Sequence, residues 1–65
     1  MNTTHVKIMA QSISDFGVNA NAGKIRLVMR DKEEVTELVK CVLSINKTTG
    51  IQLINFIQKD LHEIK

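Results

Sequence analysis

The sequence predicts an α+β fold, one small domain in which an antiparallel β-hairpin precedes two α-helices, and three observations predict it. Ile25, Leu27 and Met29 alternate with Lys24, Arg26, Val28 and Arg30, the period of two expected of a strand with one buried face. The run Asn19-Ala20-Asn21-Ala22-Gly23 just before it is rich in residues that tolerate positive φ, and reads as the hairpin turn. After Asp31 the apolar positions change to helical spacing and keep it to the end of the chain.

Residues 1–4 are polar and expected to fray. In residues 5–18, the first strand region, the even positions Val6, Ile8, Ala10, Ser12, Ser14, Phe16 and Val18 form one face. That face is apolar at both ends and polar in the middle, so the region is either one long strand or two short ones. The turn spans 19–23 and the second strand 24–30. Pairing Val18 with Ile25 puts Phe16 opposite Leu27, and it leaves His5–Gln11 overhanging with unpaired backbone groups. Asp31 is an N-cap candidate followed by Glu33 and Glu34 in the first turn, where the helix dipole favours acids. The helix it opens, 31–45, has Val35, Leu38, Val39 and Val42 as its apolar stripe, with Leu43 and Ile45 at the edges. Residues 46–49 form a break in which Thr48 or Thr49 caps a second helix over 50–65. Leu53, Ile54, Ile57, Leu61 and Ile64 are its stripe, Phe56 and Ile51 lie beyond either edge, and Asp60 sits within the apolar border.

Composition narrows the function classes. With 65 residues, 43% of them hydrophobic and 25% charged, the chain is globular and large enough for one domain. It has no Pro, Trp or Tyr, so the core comes from aliphatic residues and Met, with Phe16 and Phe56 the only aromatics. A domain of this size draws only ~3–5 kcal/mol from one core without a staple. Cys41 is the single cysteine and cannot form an internal disulfide, and no metal-ligand spacing stands out. Self-association or a protein partner is the staple left, and a homodimer is expected. There is no leader-like segment and no long apolar run, and with a lone thiol the expected compartment is the cytoplasm. The triplets Asn2-Thr3-Thr4 and Asn46-Lys47-Thr48 match a glycosylation site, which has no meaning in that compartment. A net charge of +2 is too mild to imply nucleic acid without a concentrated patch.

No constellation supports catalysis, and no cofactor or metal is expected. Gly17–Ile25 has glycines and a lysine in the manner of a phosphate-binding loop. Its spacer is one residue too long, and Ile25 stands where a hydroxyl should meet magnesium. Asp15-Phe16-Gly17 repeats a kinase tripeptide without the rest of that fold's motifs. Cys41 has no base at a meaningful spacing, Asp60-x-His62 is not a metal site, and His5 has no identifiable partner.

Two functional readings follow. The leading one is a small non-enzymatic regulatory or inhibitory module that binds protein and self-associates. Ile51, Phe56 and Asp60 form its helical surface, and Val6 and Ile8 lie on the overhanging strand. The alternative starts from Lys24, Arg26 and Arg30, three cations on one strand face. The order strand, helix, turn, helix resembles in architecture that of the ribbon-helix-helix repressors. That resemblance implies a dimer reading the major groove with the basic strand, Thr48 and Thr49 marking a helix start that meets a phosphate. A strand face kept soluble by Lys and Arg accounts for the same cations, so protein binding leads.

Overall fold

The computed structural model describes residues 3–64, with side chains from 4 to 60, and every element among them is helical. α1 spans Thr3–Phe16; a 3-10 turn over Asn19–Asn21 leads into α2, Ala22–Val28; α3 spans Lys32–Ile45 and α4 Lys47–Ile64. The expected hairpin is therefore corrected: residues 5–18 and 24–30 are not strands, and the fold is all-α rather than α+β among the described residues. Met1 and Asn2, expected to fray, lie outside those residues, as do the side chains of Leu61, His62 and Ile64. Thr3 and Thr4 belong to α1.

Burial explains the correction. On α1 the buried residues are Val6, Met9, Ala10 and Ile13, at i, i+3, i+4 and i+7, one face of a helix. Ile8 and Phe16, which completed the apparent period of two, are 67% and 74% exposed. On α2 the buried pair is Ile25 and Val28, three apart, while Leu27 is 62% exposed. Val28, placed among the cations by the strand reading, is inside, and Leu27, placed under the helices, is outside.

Of the Asn- and Gly-rich run expected to turn over 19–23, Asn19–Asn21 form a 3-10 turn between helices, and Ala22 and Gly23 already belong to α2. Gly17 has φ +95°, a left-handed conformation that side chains resist, and its N–H donates to the Ile13 carbonyl at 2.8 Å, closing α1. Asn21 is buried; its Nδ2 donates to the Gly17 carbonyl at 2.9 Å, and its Oδ1 accepts from the Ser12 hydroxyl at 3.0 Å. One amide thus ties the start of α2 to the end of α1. Nothing among the described residues bonds the buried Ser14 hydroxyl.

α3 starts on a side-chain cap, Asp31 accepting from the Glu33 and Glu34 N–H groups at 2.9 and 3.3 Å. It lies between α1 and α4, and its Leu38 and Val42 are fully buried. Asn46 then serves both neighbouring helices. Its N–H donates to the Val42 carbonyl at 2.8 Å, its carbonyl accepts from Gly50 N–H at 2.9 Å, and its Oδ1 accepts from Thr49 N–H at 3.2 Å. The cap of α4 is therefore Asn46, not Thr48 or Thr49, and the helix begins at Lys47 instead of 50. Leu53 is fully buried, with Phe56 and Ile57 packed at the edge of the core. No helix among the described residues is long and apolar enough to cross a membrane.

Such a tight corner brings α4 hard against α3 at Gly50. A Cβ there would lie 2.7 Å from Leu43 Cγ and 2.8 Å from its Cα, and the backbone atom cannot rotate away. Gly23, in α2, has nothing within 4 Å of the same added atom. Gly50→Ala should therefore destabilise the fold by about 1–3 kcal/mol, whereas Gly23→Ala should stabilise it by roughly 0.5 kcal/mol. Thermal melts followed by circular dichroism check the pair, and shifts of the same sign would refute the close approach.

Candidate functional site

α2 is seven residues long, too short to be stable alone, so what holds it decides what it presents. Ile25 and Val28 anchor its inner side. Its far side is held by Arg26, whose Nε–H donates to Asp60 Oδ2 at 2.9 Å while its guanidinium carbon lies 5.4 Å from the centre of the Phe56 ring. Phe56 and Asp60 are four apart on α4 and so stack on one face, which lets one planar cation lie over the ring and reach the carboxylate. The Asp60 side chain is 12% exposed and that of Arg26 58%, so the pair sits at the surface with its acidic half sunk in the protein.

This clasp unites residues expected to belong to two different sites. Arg26 is not one of three parallel cations: on a helix, Lys24 and Arg26 point roughly 200° apart. Arg30 follows the helix end and is exposed. The basic strand face therefore does not exist, and the ribbon reading loses the geometry it needs. Thr48 is exposed and Thr49 buried, with the Thr49 N–H already taken by Asn46. Of the helical surface expected to meet a partner, Phe56 and Asp60 are engaged within the fold and Ile51 is 48% exposed. Val6 is a core residue, while Ile8 faces out. Cys41 is half-buried against the core on α3. His62 lies among the residues whose side chains are not described, and no group of three candidate metal ligands occurs among the described residues.

Ile8 belongs to a groove of about 350 Å³ between α1 and α2. His5, Ile8, Met9 and Ser12 line it from α1, Lys24, Leu27 and Val28 from α2, and Glu34 from α3. Met9 and Val28 are buried and form its floor; Ile8 and Leu27 are the exposed apolar walls. Ser12 is bonded to Asn21 just ahead of α2, which puts the Lys24 end of α2 beside it. The other end of α2 leads towards α3, whose first turn holds Glu34, and Glu34 and His5 both line the groove. The lining of the groove is thus mixed, with Lys24 and Glu34 beside the apolar Ile8, Met9, Leu27 and Val28.

No family model matches this chain, and no curated protein or solved structure is significantly similar to it.

A second cleft, of about 480 Å³, brings Phe16 and Phe56 together with Asn19, Gln52, Asn55 and Lys59. Its apolar content is only those two rings and Val18. The α1–α2 groove is the surface that can remove a continuous apolar strip from water. Leu27, Met9, Val28 and Glu34 were not singled out from the sequence. The available signal was that Ile8 and Leu27 fall off the buried stripe once both segments are read as helices.

The clasp is testable by a double-mutant cycle on Arg26→Ala and Asp60→Ala. Since the arginine is largely exposed, solvent weakens the pair, and the expected coupling is about 0.5–1 kcal/mol. Urea unfolding of the four proteins measures it, and additive single effects would show that the two groups do not interact.

Proposed function

We propose that this protein is a small non-enzymatic binding module that takes the apolar face of a protein helix into the groove between α1 and α2. The observation that carries the reading is the pairing of Ile8 and Leu27, two large exposed apolar side chains, across a floor of buried Met9 and Val28. Single exposed apolar residues are ordinary on a protein surface, but two facing each other along one groove form a contiguous strip. Apolar strips of this kind suit helix-in-groove recognition, in which side chains at i, i+3, i+4 and i+7 fill the depression. The two charges in the groove lining add direction, because a helix C-terminus is favoured near Lys24 and an N-terminus near Glu34.

The role that fits such a groove is regulatory or inhibitory, the module acting by occupying a surface on its partner. The single thiol of Cys41 supports a reducing compartment, the cytoplasm.

The probe is a designed amphipathic helical peptide with leucines on one face, titrated into the isotope-labelled protein. Amide shifts should concentrate on Ile8, Met9, Leu27 and Val28, and Ile8→Glu should weaken binding by roughly tenfold or more by setting a charge in the apolar strip. Because Ile8 is exposed, the variant should keep the wild-type melting temperature. Shifts that ignore the groove, or gather instead around Phe16 and Phe56, would overturn the reading.

A further inference from the structure

We infer that the second cleft, between the turn after α1 and α4, is a site for a nucleobase carrying a phosphate, with Phe16 as the surface on which the base stacks. It is independent of the α1–α2 groove. Phe16 and Phe56 are the only aromatic residues of the chain, and both line this cleft. Phe16 is 74% exposed, so its ring contributes little to the core. The turn that follows it is nonetheless fixed. Gly17 N–H donates to the Ile13 carbonyl at 2.8 Å, and Asn21 Nδ2 donates to the Gly17 carbonyl at 2.9 Å. Phe56 is held from the side of α2, with the Arg26 guanidinium carbon 5.4 Å from its ring centre. The turn beside one ring and the other ring itself are therefore set before a ligand arrives, which lowers the ordering cost of binding.

The polar groups around the rings select the class of ligand. Gln52, Asn55, Phe56 and Lys59 fall at i, i+3, i+4 and i+7 on α4, one face of that helix, so an amide and an ammonium lie about one turn to either side of the ring. Asn19 adds a further carboxamide from the turn. The side chains of Asn19, Gln52, Asn55 and Lys59 make no hydrogen bond or ion pair among the described residues. An amide offers a donor and an acceptor together, the combination that the edge of a base presents in return. Lys59 is the one ionised residue of the lining among the described residues, and Asp60, next to it in sequence, is committed to Arg26. A cation with no free acid in the same lining favours an anion, which selects a nucleotide over an uncharged sugar. The cleft volume of about 480 Å³ falls in the small-molecule range of roughly 300–1,000 Å³. Stacking on an aromatic ring tolerates any base, so a free nucleotide and one nucleotide of a single strand present the same chemistry.

Amide shifts of the isotope-labelled intact chain test the site, followed during titration with adenosine monophosphate, adenosine and a strand of six adenylates. With the monophosphate they should gather on Phe16–Asn19 and Gln52–Lys59, away from Ile8 and Leu27. Phe16→Ala should raise its dissociation constant roughly tenfold. Lys59→Gln should raise it roughly threefold and leave adenosine binding unchanged. Both side chains are exposed, so each variant should keep the wild-type melting temperature. A strand bound more tightly than the monophosphate marks single-stranded nucleic acid as the source, one bound no more tightly marks a free nucleotide, and either supports the site. No shifts from any of the three at ~10 mM, shifts outside the cleft, or an affinity indifferent to Phe16→Ala overturns the inference. Adenosine bound as tightly as its monophosphate overturns it too, since no phosphate is then read, and so does maltose producing the same shifts. None of these outcomes bears on peptide binding in the α1–α2 groove.

Discussion

Leu38 and Val42 are fully buried because α3 has a neighbour on each side, α1 on one and α4 on the other, and no further layer among the described residues supplies that cover. This packing of α3 is the contact the remaining elements depend on. It requires α4 to turn back at once, which Asn46 arranges by terminating one helix and capping the next. It also requires a glycine at position 50, where a Cβ would collide with Leu43 of α3. On the opposite flank, α1 contributes Val6, Met9, Ala10 and Ile13, each at or below 5% exposure. The short α2 is then laid across what is left open, held by two buried side chains and a surface clasp.

How much of this was legible depended on whether the apolar residues outside the core imitated another period. In α3 and α4 they did not. Asp31 followed by two glutamates marked a helix start, and the stripe Val35, Leu38, Val39, Val42 fits only a helical period. In α1 and α2 the buried residues carry an equally good helical pattern, but Ile8, Phe16 and Leu27 fill the gaps needed for alternation. The same three residues are strongly exposed. A strand was the reading that put all of them inside, and the error came from supposing that every large apolar residue must be buried. Two of the residues that disguised the helices, Ile8 and Leu27, are the walls of the groove.

The clasp shows the opposite limit. Arg26, Phe56 and Asp60 each stood out in the sequence, the arginine as one of a basic run and the acid as an oddity inside an apolar border. Nothing local linked them, because 34 residues separate Arg26 from Asp60 and only the fold closes that distance. An acid on an apolar stripe is costly without a cation, so its position already called for a partner from elsewhere in the chain. Arginine answers that need better than lysine, since its plane can lie over Phe56 while its edge meets the carboxylate. The alternation along 24–30 set Arg26 beside Lys24 and Arg30 and so hid the pairing.

Stability and binding meet in α2. A seven-residue helix does not persist on its own propensity, so its lifetime depends on what it touches. Its inner side is committed to the core through Ile25 and Val28, and Arg26 is committed to α4. Lys24 and Leu27 remain on the groove side, where the helix has least cover. Any surface that closes over the groove therefore braces the least supported element of the fold, and binding stabilises the folded chain by mass action. The converse holds as well: changes that loosen α2 from Asp60 or Asn21 disorganise one wall of the groove. One wall of the groove and the shortest α-helix of the fold are thus the same element, so the position of Leu27 depends on the clasp on the other side.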